Sequence, residues 1–142
     1  MPTLFTRILQ GELPGRFVWS DERAAAFLTI APIRPGHTLV VPRAEVDHWI
    51  DMPPELAHHV FDVAAQVSRG IQRAFPCTKV GLMIAGLEVP HAHLHLVPAD
   101  RVADLDFGKQ DADAKPEALD EAAARLRAAL RELGYAQASD RP

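Results

Sequence analysis

Three histidines at alternate positions are the residues of this chain whose types and spacing most directly suggest chemistry. His91, His93 and His95 are separated by small or apolar residues, and two more apolar residues follow them. This alternation predicts a β-strand from Val89 to Pro98, because successive side chains of a strand point to opposite faces. The three imidazoles would then share one face, and the apolar face behind them could be buried in a core.

Two kinds of chemistry fit such a row of imidazoles, and the first is metal binding. The outer two histidines of an extended strand lie roughly 13 Å apart at about 3.3 Å per residue, whereas a ligand nitrogen lies only ~2.1 Å from zinc. A straight strand therefore cannot bring all three rings to one ion. A site made of two histidines with Glu88 as a third ligand stays open as an alternative.

The second kind of chemistry is nucleophilic attack on phosphorus. A neutral imidazole has a pKa of about 6.5 and is a capable nucleophile near neutral pH when its other nitrogen holds the proton. His93, in the middle of the row, is best placed to attack. Its neighbours, about 6.6 Å away along the strand, could donate hydrogen bonds to a phosphate. Protonated neighbours would also supply positive charge, so this chemistry requires no metal and no cofactor.

The remaining four histidines differ in their surroundings. His37 follows Pro35-Gly36 immediately before a predicted strand, where it is either a local turn residue or part of the site. His48, His58 and His59 lie beside or within a predicted helix and are expected to be ordinary surface or half-buried residues.

Composition narrows the class of protein. The chain has 142 residues, of which 15 are basic and 19 acidic, and its formal charge of -4 argues against a nucleic-acid-binding surface. Its single cysteine, Cys77, excludes an internal disulfide. The N-terminus lacks the apolar core of a signal peptide, and no apolar run reaches the ~18–20 residues that span a bilayer. We therefore expect a cytoplasmic protein without membrane contact.

Apolar periodicity predicts an α+β fold on an antiparallel sheet, in one domain from residue 1 to 142 with its core at about residues 4–98. Strands are predicted at Phe17 to Trp19, Ala24 to Ile30, Thr38 to Val41, Val80 to Ala85 and Val89 to Pro98, and helices at Leu4 to Leu9, Leu56 to Ile71 and about 116–133. The acidic stretch from Ala99 to Lys115 is predicted to be a surface loop. The tail after Tyr135 is expected to be frayed.

The histidine row resembles the motif of a known family. His91 to Val97 is similar to the histidine triad (HIT) motif, which is His-x-His-x-His followed by two apolar residues. Pro35 to Pro42 is similar to the family's Pro-Gly-His segment, and Phe27 to Pro32 precedes it. The resemblance extends from about Leu4 to Pro98, and beyond it only the presence of a C-terminal helix is compatible.

The resemblance implies a fold and a mechanism. HIT proteins are nucleotidyl hydrolases and transferases with a five-stranded antiparallel sheet, and they usually form homodimers. By resemblance, His93 would attack the α-phosphorus of a nucleotide and form a nucleotidyl-histidine intermediate. His91 would orient His93, His95 would contact the phosphate, and His37 would be the family's fourth histidine.

Several positions would bind the nucleotide by resemblance. Six are apolar residues expected to line a base pocket, although a core requires the same residue types: Leu4, Phe5, Ile8, Phe27, Leu28 and Ile30. Thr29 stands where many relatives have an aspartate that holds the ribose, and it offers one hydroxyl without a charge. Thr3 and Thr6 replace cysteines that hold zinc in some relatives, so no structural zinc is expected.

The approach to the triad departs from the family pattern. The connection is shortened, and Leu87-Glu88 replaces a Gln-Ser or Gln-Thr pair whose hydroxyl would assist the leaving group. Glu88 is expected at the nucleotide site, where it would repel a phosphate unless it is turned away, protonated, or bonded to His37 or another imidazole. It could also select a basic leaving group.

Three classes of function follow from the sequence. The first is an enzyme that hydrolyses a nucleoside 5′-phosphoramidate or a similar purine nucleotide conjugate, with dinucleoside polyphosphate hydrolysis as the next reaction considered. The second is a non-catalytic nucleotide-binding or regulatory protein that has lost polar pocket groups. The third is a metal-dependent protein.

Overall fold

The structure is a computed structural model that describes all residues from 1 to 142, and it consists of one antiparallel sheet with helices on both faces. In chain order the elements are α1 (Leu4–Leu9), β1 (Phe17–Ser20), β2 (Ala24–Leu28), β3 (Thr38–Pro42), α2 (Pro54–Ala74), β4 (Lys79–Met83), β5 (Leu94–Ala99) and α3 (Pro116–Glu132). The strand order is β1-β2-β3-β5-β4, and every neighbouring pair is antiparallel. The predicted α+β fold with a five-stranded sheet is confirmed. None of the helices is both long and apolar enough to cross a membrane.

One face of the sheet is covered by α2 and α3. Apolar side chains of α2 at three- and four-residue steps, including Val60, Val63 and Val67, are fully buried against the sheet. Gly70 allows α3 to pack closely, because a Cβ at this position would lie 2.5 Å from the side chain of Leu130. Glycine lowers the helix propensity of α2, and the close packing of the two helices that it allows offsets this cost.

The other face of the sheet carries the short helix α1. Phe5 and Leu9 of α1 pack on side chains from β1, β2 and β3 in a second, smaller apolar cluster. Because side chains alternate along β5, Leu94 and Leu96 join the core beneath α2 and α3. His95 points to the opposite face, where Leu39 is its cross-strand partner. The sheet thus separates an apolar helical side from a side that carries imidazoles.

The predicted histidine strand is too long at its beginning. The strand starts at Leu94, so His91 and His93 lie in the connection before it. The amide of His91 donates to the carbonyl of Val89, a local turn-like bond, and the amide of Ala92 donates to Val46 outside the sheet. These backbone groups are therefore not available to a sheet ladder. Two other predicted strands also extend too far: the structure ends them at Leu28 and Met83.

The tail after Tyr135 is not frayed, contrary to expectation. The amide of Ser20 donates to Gln137 at 3.0 Å, and the amide of Ser139 donates to Val18 at 3.1 Å. The tail thus pairs with the outer edge of β1 and satisfies backbone groups that an edge strand would otherwise expose.

The acidic segment from Ala99 to Lys115 is more ordered than a simple surface loop. It contains two single 3-10 turns, Val102–Asp104 and Phe107–Lys109. The carboxylate of Asp104 accepts from two backbone amides and from Arg34 at 3.0 Å, and the amide of Asp111 donates to Pro32 at 2.9 Å. We call residues 101–111 the acidic loop. These bonds tie it to the end of the sheet that carries the histidines.

Candidate active site

A cavity of about 700 Å³ opens on the α1 side of the sheet. Its walls come from α1, the segment after β2, the connection between β4 and β5, and the acidic loop. The lining residues include Leu4, Phe5, Ile8, Phe27, Leu28, Thr29, Ile30, Glu88, His93, His95, Phe107 and Gln110. The structure therefore brings together most of the predicted site residues, although His37 and His91 lie behind the wall.

His95 is held in one tautomer by His37. Gly36, at φ +98°, forms the turn that directs the His37 side chain inward, and His37 is only 1% exposed. Its Nδ1 accepts the amide of Ile33 at 3.0 Å, so its Nε2 must carry the hydrogen and donate to His95 Nδ1 at 2.9 Å. The remaining hydrogen of a neutral His95 is then on Nε2.

His93 is held in the opposite tautomer. Its Nδ1 lies 2.7 Å from the carbonyl oxygen of His91, and only a protonated nitrogen can bond to a carbonyl. The lone pair of a neutral His93 is therefore on Nε2. The ring of Phe5 packs edge-on against His93 with the centroids 4.8 Å apart, and the ring of His95 lies at 4.9 Å on another side.

His91 is fully buried and does not line the cavity. Its Nε2 donates to the carbonyl of Pro42 at 2.7 Å, and its Nδ1 lies 2.7 Å from the hydroxyl of Thr3. The three rings therefore do not form the equivalent row that strand alternation predicts. His91 supports the backbone beneath His93, and only the other two rings meet the cavity.

Burial keeps these histidines neutral. It lowers the pKa of His37 to about 3 and the pKa of His95 to about 4, and in each case a neighbouring histidine lowers it further. Burial also lowers the pKa of His91 and of His93, although bonds to carbonyl oxygens oppose this effect. The expectation that protonated histidines supply positive charge is therefore wrong for this arrangement.

The predicted base-pocket residues divide into two groups. Leu4, Phe5, Ile8 and Phe27 form an apolar end of the cavity with α1 above the sheet, and Ile30 lies at the mouth, 74% exposed. Leu28 touches the cavity, but its side chain belongs to the core beneath α2 and α3. Strand alternation explains this difference, because Phe27 and Leu28 point to opposite faces.

The other end of the cavity contains two residues that were not predicted from the sequence. Phe107 packs edge-on against His95 with the centroids 4.9 Å apart, and Gln110 donates to the carbonyl of Ala31 at 2.9 Å. Thr29, nearby, accepts the amide of Ala31 at 3.2 Å. The lone aromatic residue in an acidic stretch was the one sequence signal that could have pointed to Phe107.

Glu88 lines the cavity and makes no hydrogen bond to another residue. Of the alternatives expected for Glu88, a bond to His37 is not formed, because both ring nitrogens of His37 are engaged elsewhere. Arg16 is the only lysine or arginine in the lining, and it bonds to Asp120 at 2.7 Å. No three His, Cys, Asp or Glu side chains are arranged to hold a metal ion.

The other three histidines lie outside the cavity lining. His59 donates from Nε2 to the Asp21 carboxylate at 2.9 Å, and His48 accepts the amide of Ile50 at 3.5 Å. His59 thus contacts the turn between β1 and β2, and His48 contacts its own segment, so neither contributes to the cavity.

Comparison with known proteins identifies the family. The model of the HIT domain matches residues 10–102. Protein hit of Bacillus subtilis is 32% identical over 102 residues, which cover 67% of this chain and 69% of that protein. An asymmetrical bis(5′-nucleosyl)-tetraphosphatase of Schizosaccharomyces pombe is 32% identical over 93 residues, or 62% of this chain and 50% of that protein.

A solved structure agrees with the sequence matches. A hypothetical histidine triad nucleotide-binding protein from Sulfolobus tokodaii superimposes with a TM-score of 0.80 at 27% identity, covering 91% of this chain and 92% of that chain. The sequence match, the five-stranded sheet and the His-x-His-x-His segment therefore agree, and the chain belongs to the HIT-domain family, whose members include nucleotide-binding hydrolases and transferases.

Proposed function

We propose that this protein is a phosphoramidase that hydrolyses a nucleoside 5′-phosphoramidate or a similar purine nucleotide conjugate at the α-phosphorus. One observation carries the proposal: His93 donates its Nδ1 hydrogen to the carbonyl of His91, and its ring lines the cavity. The lone pair on Nε2 is then available to a phosphorus atom in that cavity without prior loss of a proton.

The reaction proceeds in two displacements. Nε2 of His93 forms a bond to the α-phosphorus as the bond from phosphorus to the leaving nitrogen breaks, and the amine takes a proton from water. The carbonyl of His91 stabilises the positive charge that develops on the ring. The hydroxide left by proton transfer to the amine then attacks phosphorus, the bond to His93 breaks, the ring returns to its neutral form, and the nucleoside monophosphate is released. His95, with its hydrogen on Nε2, donates to a phosphate oxygen in both steps.

The apolar end of the cavity suits a nucleobase. Phe5 and Phe27 pack edge to face with centroids 5.7 Å apart, and the exposed aliphatic groups of Leu4 and Ile8 lie above them. A purine offers a larger apolar face to these groups than a pyrimidine does, so burial favours purine nucleotides. Thr29, which also lines the cavity, supplies a hydroxyl for a sugar oxygen.

The charges in the cavity lining favour an amine as the leaving group. Glu88 is in the lining, and the single lining cation, Arg16, is paired with Asp120. A polyphosphate leaving group would meet this carboxylate with no free cation to bind it, whereas an amine would be attracted. Hydrolysis of dinucleoside polyphosphates is the second candidate, because the relative from Schizosaccharomyces pombe is named as a tetraphosphatase of that class.

The decisive experiment measures turnover of adenosine 5′-phosphoramidate. The wild-type protein should release AMP and ammonia, and His93→Ala should reduce kcat by at least about 10³-fold because no nucleophile remains. His58→Ala is the matched control, because this histidine lies outside the cavity lining. Full activity of His93→Ala would refute the nucleophile, and loss of activity on chelation would favour a metal-dependent protein. Stabilisation by AMP without any turnover would favour a binding protein.

A second variant tests the choice of leaving group. Glu88→Gln removes the charge and keeps the size of the side chain. We expect the ratio of kcat/KM for the phosphoramidate to that for diadenosine tetraphosphate to fall by about three- to tenfold, since a surface charge contributes modestly to binding. An unchanged ratio would show that Glu88 does not discriminate between these substrates.

We also propose that the protein forms a homodimer through β4. The tail covers the outer edge of β1, whereas β4 pairs only with β5 and leaves its other edge open, with Leu82 42% exposed. Open edges favour pairing with another chain. Light scattering should give twice the mass of one chain, and the mass of one chain would contradict the proposal.

A further inference from the structure

Thr3 joins the beginning of α1 to the buried ring of His91. Its hydroxyl oxygen accepts the amide of Thr6 at 3.1 Å, which caps α1, and lies 2.7 Å from His91 Nδ1. Because Nε2 of His91 donates to the carbonyl of Pro42, Nδ1 of the neutral ring has a lone pair. The hydroxyl of Thr3 must therefore be the donor in its contact with His91.

Glu45 holds Thr3 in the orientation that this bond requires. One carboxylate oxygen of Glu45 accepts the backbone amide of Thr3 at 2.8 Å and the hydroxyl of Thr6 at 2.5 Å. The bonds from Thr6 and Thr3 lower the pKa of Glu45, so the carboxylate is ionised and acts only as an acceptor. The Thr6 hydrogen is used by Glu45. The Thr6 oxygen lies 3.2 Å from the Thr3 oxygen, and the shorter 2.7 Å contact with His91 Nδ1 takes the Thr3 hydrogen.

The same segment of chain holds the backbone around the nucleophile. The carbonyl of Val46, next to Glu45, accepts the amide of Ala92 at 2.7 Å. The carbonyl of His91 in turn accepts Nδ1–H of His93 at 2.7 Å. A shift of the His91 ring therefore moves the peptide group that fixes the tautomer and direction of His93.

We propose that Thr3 is a positioning residue for the triad, and that its hydroxyl holds His91 in the neutral tautomer protonated on Nε2 while Glu45 keeps Thr3 in place. This role is separate from the helix cap. In the cap the Thr3 oxygen accepts the amide of Thr6, whereas in the contact with His91 the Thr3 hydroxyl donates its own hydrogen. The kinetic part of the test rests on the proposed phosphoramidase function. The spectroscopic part does not.

Three substitutions of Thr3 separate capping from hydrogen donation. Thr3→Ser keeps both functions and should stay within about threefold of the wild type in kcat. Thr3→Val removes both and should reduce kcat by about ten- to hundredfold, with KM changed by less than about threefold, because a buried acceptor loses its donor. Thr3→Asp can cap α1 but its ionised carboxylate cannot donate, so it should be as impaired as Thr3→Val. Wild-type kcat in Thr3→Asp would show that only the cap matters, and wild-type kcat in Thr3→Val would overturn the proposal.

Nitrogen-15 NMR of the histidine rings tests the same contact without any substrate. In the wild type, His91 should show a hydrogen on Nε2 and a hydrogen-bonded lone pair on Nδ1, and the Nδ1 signal should move toward that of a free lone pair in Thr3→Val. A hydrogen on Nδ1 in the wild type, or an unchanged Nδ1 signal in Thr3→Val, would refute the role of Thr3. These results stand even if the phosphoramidate is not a substrate.

Two substitutions of Glu45 test how strongly kcat depends on the bonds that this carboxylate accepts. Glu45→Gln keeps the oxygen that accepts both bonds and should retain kcat within about threefold, whereas Glu45→Ala should lose more. Glu12→Ala is the matched control, because Glu12 also pairs with α1, through Arg7 at 3.5 Å, but has no contact with Thr3 or His91. Equal losses in Glu12→Ala and Glu45→Ala would contradict the role assigned to Glu45.

Discussion

The two histidines that flank His93 are held in the same tautomer by different kinds of donor. His91 receives its hydrogen bond from the hydroxyl of Thr3, which lies at the edge of the molecule next to the exposed carboxylate of Glu45. His95 receives its bond from the imidazole of His37, which is almost completely buried. In both flanking histidines the lone pair on Nδ1 thus accepts a hydrogen bond. The donor to His91 lies near the surface, and the donor to His95 lies in the interior.

The two donors differ in how easily each can be replaced. A hydroxyl rotates, and the hydroxyl of a serine can take its place. The imidazole of His37 cannot reverse its direction, because its Nδ1 already accepts the amide of Ile33 and only Nε2 can donate. The comparison indicates that the His95 side is rigidly fixed, whereas the His91 side tolerates conservative change.

The largest effect is expected when the buried donor is removed. His37→Phe leaves the amide of Ile33 and Nδ1 of His95 without partners. Each of these two unsatisfied buried groups costs about 1–3 kcal/mol, so the free energy of unfolding should fall by about 2–6 kcal/mol. The loss of kcat should exceed that of Thr3→Val. Denaturant unfolding and steady-state kinetics on both variants provide the measurement, and equal effects in both would contradict the comparison.

A smaller effect should appear in the pH dependence of stability. The pKa of His37 is lowered to about 3 and that of His95 to about 4, mainly by burial, from an ordinary value of 6.5. Between pH 6.5 and about 4 the unfolded chain therefore binds more protons than the folded chain, and stability falls as the pH falls. Each histidine contributes a slope of at most about 1.4 kcal/mol per pH unit.

Denaturant unfolding across this pH range checks the expectation. The slope should be shallower in His37→Phe, which lacks one of the two buried rings. A free energy of unfolding that does not change with pH in the wild type would show that these rings titrate normally in the folded protein.

The smallest effect is expected from the aromatic contact with His95. Phe107→Ala removes a ring that packs on His95 but is itself 37% exposed. We expect a rise in KM of about three- to tenfold and a change in unfolding free energy of less than about 1 kcal/mol. Val102→Ala is the matched control, because Val102 belongs to the same loop and is 89% exposed. A similar KM in both variants would remove Phe107 from the site.

The fold followed from local patterns. Alternating apolar residues predicted five strands, and the apolar residues of α2 and α3 predicted two amphipathic helices with proline near the start of each. Strand ends were predicted less well. Whether Val89 to His93 pairs in the sheet depends on the amide of Ala92, which bonds instead to Val46, about a third of the chain length away in sequence.

The candidate site was predicted only in part, because short-range spacing is visible in the sequence and contacts between distant residues are not. The histidine motif identified His91, His93 and His95 from short-range spacing, and the resemblance of the Pro-Gly-His segment to the family added His37. Phe107 and Gln110 were not identified, because their segment has no apolar period and its place over the cavity depends on bonds to distant residues. The fixed tail after Tyr135 was missed likewise, since its partners are in β1.

The sequence alone determined which chemical groups are present and which secondary structures carry them, because residue type and periodicity act locally. The tertiary structure decided what each histidine can do. The position of a proton on an imidazole depends on the partner of each nitrogen, and those partners include Thr3, Ile33 and Pro42, all far from the triad in sequence. The sequence thus contains three similar rings, and only the folded structure distinguishes His93, whose Nδ1 carries the hydrogen, from His91 and His95, whose Nε2 carries it.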